Sequence, residues 1–212
     1  MSVWNFVLRS ILAIGYLALF GVALAQQDYF HRPSPFAGKS LLTLALFDEV
    51  RSELKCSPDV AAREDALLFR LQKDLDEAIG NAKGNYATVR ESIDNLNNQY
   101  DEDCLKILST EQASRLKQLF LQYNGSNVLT HPIIAKEVGI SKEQLAKLKA
   151  IQADIARAIQ DTYTKPLTPA DIQKAIRQLR EDLKQKLPTV LDAGQRLKFQ
   201  AMQGVKFEFK KP

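Results

Sequence analysis

A short phrase that marks the start of an α-helix recurs along this chain. Residues 107–112 read ILSTEQ, and residues 139–144 read GISKEQ. In each phrase a serine precedes a glutamine by three positions. This is the spacing of a capping box, in which the two side chains satisfy free backbone N–H groups at a helix start. Because apolar residues follow at intervals of three and four, both phrases predict amphipathic helices.

The same start signal occurs in three looser forms. Ser57 and Thr168 are each followed by proline, which suits the first helical position because no hydrogen bond is lost there. Asp192 stands three positions before Gln195 and predicts a short final helix. The predicted capping residues are Ser57, Ser109, Gln112, Ser141, Gln144, Thr168, Asp192 and Gln195. Strand patterns are nearly absent, so the predicted fold class is all-α.

The helix starts repeat at a nearly constant distance along the chain. Ser57 and Ser141 are 84 positions apart, and the next pair of starts is 83 positions apart. Repeated helical units usually stack on one another to share a core. We therefore expect two similar helical halves, residues 40–123 and 124–204, each built around an antiparallel helical hairpin.

The two ends of the chain differ from this helical region. Residues 205–212 read VKFEFKKP, where apolar and charged residues alternate as in an extended tail. Residues 1–25 contain Arg9, an apolar run and an Ala-Leu-Ala sequence, which together predict a secretory signal peptide cleaved before Gln26. An uncleaved anchor is the alternative. Residues 26–39 are expected to form a loose lead-in.

A cleaved signal peptide implies an exported protein, periplasmic or extracellular, with no membrane span after signal removal. The full chain has a net charge of +4, yet residues 26–130 carry −4 and residues 131–212 carry +7. A basic half would attract acidic protein, glycan or anionic lipid, and a solvated helix surface is the plainer interpretation. Nucleic acid is not an expected partner of an exported chain, and the sequence indicates no oligomeric state.

Residue types that carry catalysis or bind metals are few and scattered. The two histidines, His31 and His131, have no neighbouring acid or cysteine that would form a triad, and there is no glycine-rich phosphate loop. Soft metals require clustered Cys, His or Met residues, which the sequence lacks. The acidic run at residues 101–103 lacks the spacing of a calcium loop and is expected at a solvated helix end. We therefore expect no enzyme activity, no metal and no cofactor.

The only two cysteines, Cys56 and Cys104, form an even pair in a chain expected in an oxidising compartment, which favours a disulfide. If the helix from Pro58 runs to the turn at residues 80–84 and the next helix runs back, the two cysteines meet at the ends of a hairpin. The alternative is two buried free thiols. No C-x-x-C spacing indicates redox catalysis, so the bridge is expected to be structural.

The capped phrases resemble the Leu-Thr-x-x-Gln motifs of the Spy/CpxP-like family of small, exported, all-helical proteins. Residues 108–112 and 140–144 match the motif with serine or isoleucine substitutions, and residues 191–195 match it with aspartate. Members of that family are envelope stress proteins and ATP-independent chaperones, and the family has no catalytic residues. This chain is longer than those members and is internally repeated.

The resemblance implies a non-enzymatic exported protein that binds other proteins and is chaperone-like or related to envelope stress. Its expected partners are unfolded or envelope client proteins. The alternative is a structural or scaffolding component of the cell envelope that binds no clients. A third hypothesis is an enzyme or metal sensor whose site is assembled from scattered residues.

Overall fold

The computed structural model describes residues 40–210, except for the side chains of residues 86 and 87. The expected signal peptide, the lead-in that follows it and the last two residues of the 205–212 tail lie outside the described residues. Every regular element of the described region is a helix and none is a strand. The all-α prediction is therefore confirmed.

Short helices open the described region, and long helices follow them. The α-helices are α1 Leu41–Ala45, α2 Asp48–Glu53, α3 Pro58–Asn81, α4 Tyr86–Ile107, α5 Thr110–Asn124, α6 Pro132–Val138, α7 Lys142–Tyr163, α8 Pro169–Lys186 and α9 Ala193–Ala201. Two 3₁₀-helices connect them, at Gly125–Thr130 and Leu187–Val190. The helices α3, α4, α7 and α8 have 24, 22, 22 and 18 residues, so each extends about 27–36 Å.

The predicted capping residues stand at the helix starts. The Ser109 hydroxyl accepts the backbone N–H of Gln112 at 3.2 Å, and the Gln112 side-chain oxygen accepts the backbone N–H of Ser109 at 3.0 Å. These local bonds satisfy N–H groups that have no partner inside the helix. The other reciprocal boxes are Ser141 with Gln144 and Asp192 with Gln195, and the single caps are Ser57 and Thr168.

Replacement of Ser141 by alanine is expected to lower the free energy of unfolding by about 1 kcal/mol, the usual contribution of an N-terminal cap. The Ser141 hydroxyl accepts the N–H of Gln144 at 3.2 Å, and alanine cannot replace that acceptor. The unfolding midpoint in urea should fall for Ser141→Ala and stay unchanged for Lys149→Ala, at an exposed position of the same helix. Equal midpoints for the two variants would show that this cap adds no stability.

The hydrophobic core lies where the short helices meet the ends of the long ones. Helix α1 has only five residues, and four of them, Leu41, Leu42, Leu44 and Ala45, are 0% exposed. It packs against α3, α4 and α5. Because a helix this short is unstable alone, burial rather than helix propensity maintains it. Other fully buried large apolar side chains are Leu116, Leu119, Phe120, Leu121, Leu129, Ile134, Leu148 and Leu187.

The long helices make their main contacts in pairs, α3 with α4 and α7 with α8. We call α3 and α4 the first arm, and α7 and α8 the second arm. Burial is sparse in the second arm: Leu148, Ile155 and Thr162 are the buried residues of α7, and Ile176 is the buried residue of α8. Packing of α7 against α8 therefore leaves most apolar side chains of the second arm half-buried or exposed.

Candidate functional site

The glutamines of the capping boxes make a second contact that the sequence did not predict. Their side-chain oxygen accepts the N–H of the local cap residue, and their side-chain nitrogen donates to a carbonyl far along the chain. Gln112 donates to the carbonyl of Leu54 at 3.0 Å, and Gln195 donates to that of Gly139 at 2.7 Å. Each carbonyl belongs to the turn before another capped helix. One amide group therefore joins two helix starts.

In the second half this contact is reciprocal. Gln144 donates to the carbonyl of Val190 at 3.0 Å, and its amide pairs with that of Gln195 through two nitrogen–oxygen contacts of 2.7 Å and 2.9 Å. Both N–H groups and both lone pairs of each amide are then in use, so the pair has no polar group left for a ligand. In the first half Val60 stands 84 positions before Gln144, so Gln112 makes its contact without a reciprocal partner.

The predicted disulfide is not present, and both cysteines are free thiols. The sulfur of Cys56 lies 3.9 Å from Oε1 of Glu64, in hydrogen-bonding contact, and Cys104 is 0% exposed. Burial raises the pKa of both thiols, so both stay protonated. Disulfide formation needs the thiolate. The local surroundings of Cys56 and Cys104 therefore suppress the thiolate that a disulfide requires.

Thiol titration of the unreduced protein in denaturant is expected to give two reactive thiols per chain. In the folded protein Cys104 should react much more slowly than Cys56, because it is fully buried and burial raises its pKa. The variant Cys104→Ala should lack the slow phase and keep the phase of Cys56. Absence of reactive thiols in denaturant would contradict the free-cysteine structure.

A buried ion pair lies beside Cys56. The Glu64 carboxylate is 0% exposed, and Nε of Arg51 donates to it at 2.8 Å. Burial raises the pKa of Glu64, and the hydrogen bond and positive charge of Arg51 oppose that rise. The sequence contained a signal for this pair, because Glu64 interrupts the apolar stripe of α3 between Val60 and Leu67. A charged residue at such a position requires a partner.

A second buried carboxylate joins three parts of the chain. Asp101, in α4, is 0% exposed. It accepts hydrogen bonds from the Ser40 hydroxyl at 2.7 Å and the Leu42 N–H at 2.9 Å, and it lies 2.8 Å from Nε2 of His131. The expectation that Asp101 belongs to a solvated helix end is therefore wrong. His131 stands immediately before the first residue of α6.

The order of these contacts differs from that of a catalytic triad. In a triad the histidine lies between the acid and the nucleophile and takes the proton of the nucleophile. Here the carboxylate lies between Ser40 and His131, so the histidine does not reach the hydroxyl through a direct bond. The ring of His131 packs edge-on against Phe120, with 5.2 Å between ring centroids. The cluster joins the starts of α1 and α6 to the interior of α4.

Within residues 40–210, no group of three or more His, Cys, Asp or Glu side chains is arranged to hold a metal ion. In the same region no helix combines the length and apolar character that a bilayer span requires. One surface depression is open to solvent, and its lining includes Glu102, Lys136, Lys198 and Met202. Its mixed charges do not converge on a single ligand chemistry.

The apolar surface of the second arm is the candidate binding site. At the end of this arm, Tyr163 is 63% exposed and Leu167 is 40% exposed. In the first arm Phe69 is exposed as well. Apolar surface of this kind marks interaction sites when it forms a continuous patch. Half-buried apolar residues along the second arm include Ile159, Ile172 and Leu179, whereas Ile151 and Leu183 pack against the hydrophobic core.

Comparison with known proteins gives no match: no protein-family model, no curated protein and no solved structure is significantly similar to the chain. The function must therefore be argued from the surface and contacts of the chain itself.

Proposed function

We propose that this chain is a non-enzymatic, exported protein that binds unfolded segments of other proteins in a chaperone-like manner. The observation that carries the proposal is the apolar surface of the second arm, where Tyr163 and Leu167 are exposed beside a half-buried stripe. A client that covered this surface would gain about 25 cal/mol per Å² of apolar area. The charge of +7 over residues 131–212 favours acidic client segments. The resemblance to Spy/CpxP-like proteins supports the same class of function.

We propose that the helices that form this surface belong to one of two similar antiparallel hairpins that arose by duplication. Helix starts recur after 84 or 83 positions, and each arm is a pair of helices joined by a short turn. A common origin of the two halves would explain why the capping phrase recurs. The matching first residues are Asp48 and Pro132, Pro58 and Lys142, Tyr86 and Pro169, and Thr110 and Ala193.

Backbone geometry before the two arms supports the same duplication. Lys55 and Gly139 are 84 positions apart, and both have positive φ, 52° and 83°. In each half the N–H of the next residue bonds to the carbonyl five positions back, at 3.0 Å and 2.9 Å. A lysine in this conformation is uncommon because its side chain is strained there. A shared backbone conformation of this kind supports a duplication more strongly than a shared helix boundary does.

The binding function is tested by whether the purified protein delays aggregation of an unfolding client at a near-stoichiometric ratio. We expect a clear delay with the unmodified chain and a weaker one with the double variant Tyr163→Ser, Leu167→Ser. The matched control is Leu197→Ser, which removes a 68% exposed apolar side chain outside the arms and should leave the delay unchanged. Circular dichroism should show the same helix content for all chains.

A folded protein that gives no delay would contradict client binding. The structural or scaffolding role would then be the better hypothesis, and it would predict one specific partner instead of many clients. An equal reduction by Leu197→Ser and by the double variant would place the binding surface outside the second arm.

A further inference from the structure

The tail formed by residues 205–210, here called the extended segment, lies against the surface of α5. Phe207 and Phe209 are half-buried against the hydrophobic core. The side chains between them and before them point to solvent, with Lys206 83% exposed and Glu208 85% exposed. Burial that alternates with a period of two is typical of an extended chain. The segment begins after Gly204, whose φ is +62° and where a Cβ would collide with the Gln118 side chain.

Side chains of the helices bind the backbone of this segment directly. The Gln122 amide donates to the carbonyl of Val205 at 2.8 Å and accepts the N–H of Phe207 at 2.7 Å. Arg115 donates to the same carbonyl at 2.7 Å. In an extended chain the carbonyl of one residue and the N–H two residues later point to the same side, so a single amide side chain takes the place of a neighbouring strand.

Aromatic side chains bind the apolar positions of the segment. The ring of Phe209 lies edge-on to Tyr123, with 5.0 Å between centroids, and Tyr123 lies edge-on to Phe47 at 5.9 Å. Phe207 and Phe209 contact each other at 4.9 Å. Edge-to-face pairs add to the stabilisation that burial of the rings provides. Aromatic contacts therefore hold the segment at alternate positions, while the hydrogen bonds to its backbone do not depend on its side chains.

The Glu49 carboxylate accepts the backbone N–H of Lys210 at 3.0 Å. We infer that the groove in which the extended segment lies, lined by Phe47, Glu49, Arg115, Gln122 and Tyr123, is a peptide-binding site. Its ligand is an extended, unfolded segment of another protein that carries aromatic residues at alternating positions with charged residues between them. The extended segment of this chain occupies the groove as an internal competitor. Lys206 and Glu208 of the segment are exposed, so its release would uncover Phe207, Phe209 and the apolar side chains beneath them. This site is separate from the apolar surface of the second arm. Peptide binding in the groove can therefore be disproved without disproving client binding by that arm.

The internal competitor sets how strongly an outside peptide binds. A short connection holds the extended segment near the groove at an effective concentration on the order of millimolar. An outside peptide of the same sequence must compete with that concentration, so the intact chain binds it weakly. A chain whose own segment has lost its aromatic anchors leaves the groove free.

The test uses a fluorescent peptide of the sequence VKFEFK and measures its anisotropy with two full-length chains. The double variant Phe207→Ser, Phe209→Ser is expected to bind the peptide at least about tenfold more tightly than the unmodified chain. The control peptide VKSESK should not bind either chain. Adding Gln122→Ala to the double variant should abolish binding of VKFEFK, because the amide that holds the peptide backbone is gone. Circular dichroism establishes that each variant is folded.

A folded double variant that does not bind VKFEFK, or that binds VKSESK equally well, would overturn the inference. If the double variant does not fold, the unmodified chain is used with millimolar VKFEFK. Hydrogen exchange of the Phe207 amide should then accelerate, because its bond to Gln122 is lost on displacement. Unchanged exchange would equally overturn the inference. These measurements do not depend on the client aggregation assay, so the two proposals can be rejected separately.

Discussion

Arg51→Ala should lower the free energy of unfolding by about 3–5 kcal/mol, the usual loss when one partner of a buried ion pair is removed. Glu64 is 0% exposed and would remain buried without the guanidinium that lies 2.8 Å away. Urea unfolding at neutral pH measures this loss. The matched control is Lys184→Ala, which removes a pair with Glu181 in which both side chains are 55% exposed. Such an exposed pair contributes at most about 1 kcal/mol.

Two further measurements separate a buried charge from a simple packing defect. Burial raises the pKa of Glu64 above its ordinary value of 4.5, and loss of Arg51 should raise it further. The protonated carboxyl carries no charge, so the loss caused by Arg51→Ala should be smaller near pH 4 than at pH 7. Replacing both partners by methionine should recover most of the stability. A loss that is equal at both pH values would show that the charge of Glu64 is not its cause.

Asp101→Ala should lower the free energy of unfolding by about 4 kcal/mol. The change leaves the buried N–H of Leu42 and Nε2 of His131 without an acceptor, and each unsatisfied buried donor costs about 1–3 kcal/mol. Thermal and urea unfolding should both show the loss. Asp103→Ala is the control, since Asp103 pairs with Lys106, whose side chain is 70% exposed.

Asp101→Asn should give an intermediate loss of about 1–3 kcal/mol. The asparagine oxygen can still accept from Ser40 and Leu42, but its amide nitrogen would face Nε2 of His131. The ring would then have to move its proton to Nδ1, which is buried and has no hydrogen-bond partner among the described residues. If Asp101→Ala and Asp103→Ala gave the same small loss, the carboxylate cluster would not stabilise the fold.

The features that could be predicted from the sequence are those determined by neighbouring residues. A capping box depends on atoms three positions apart, so the pattern of Ser109 and Gln112 suffices to place the start of α5. The spacing of apolar residues likewise indicates helices throughout the described region. The reciprocal pairing of Gln144 with Gln195 could not be predicted, because it joins residues 51 positions apart.

The candidate sites likewise depend on contacts between residues that are far apart in the sequence. Asp101 reads as part of an acidic surface run, and only its contacts with Ser40 and His131, 61 and 30 positions away, explain its burial. The disulfide prediction was wrong because the sequence could not show Glu64 beside Cys56 or the burial of Cys104. The alternation of residues 205–210 suggested an extended segment, but the side chains that bind its backbone come from α2 and α5.

The amide pair of Gln144 and Gln195 has a consequence for motion. Opening the first turn of either α7 or α9 breaks the bonds that both amides share, so these two turns should open together as one cooperative unit in hydrogen exchange. In the first half Gln112 alone links α5 to the carbonyl of Leu54. Helix α3, which has Val60 at the corresponding position, can therefore fray without opening α5. The start of the second arm is therefore held more stiffly than the start of the first.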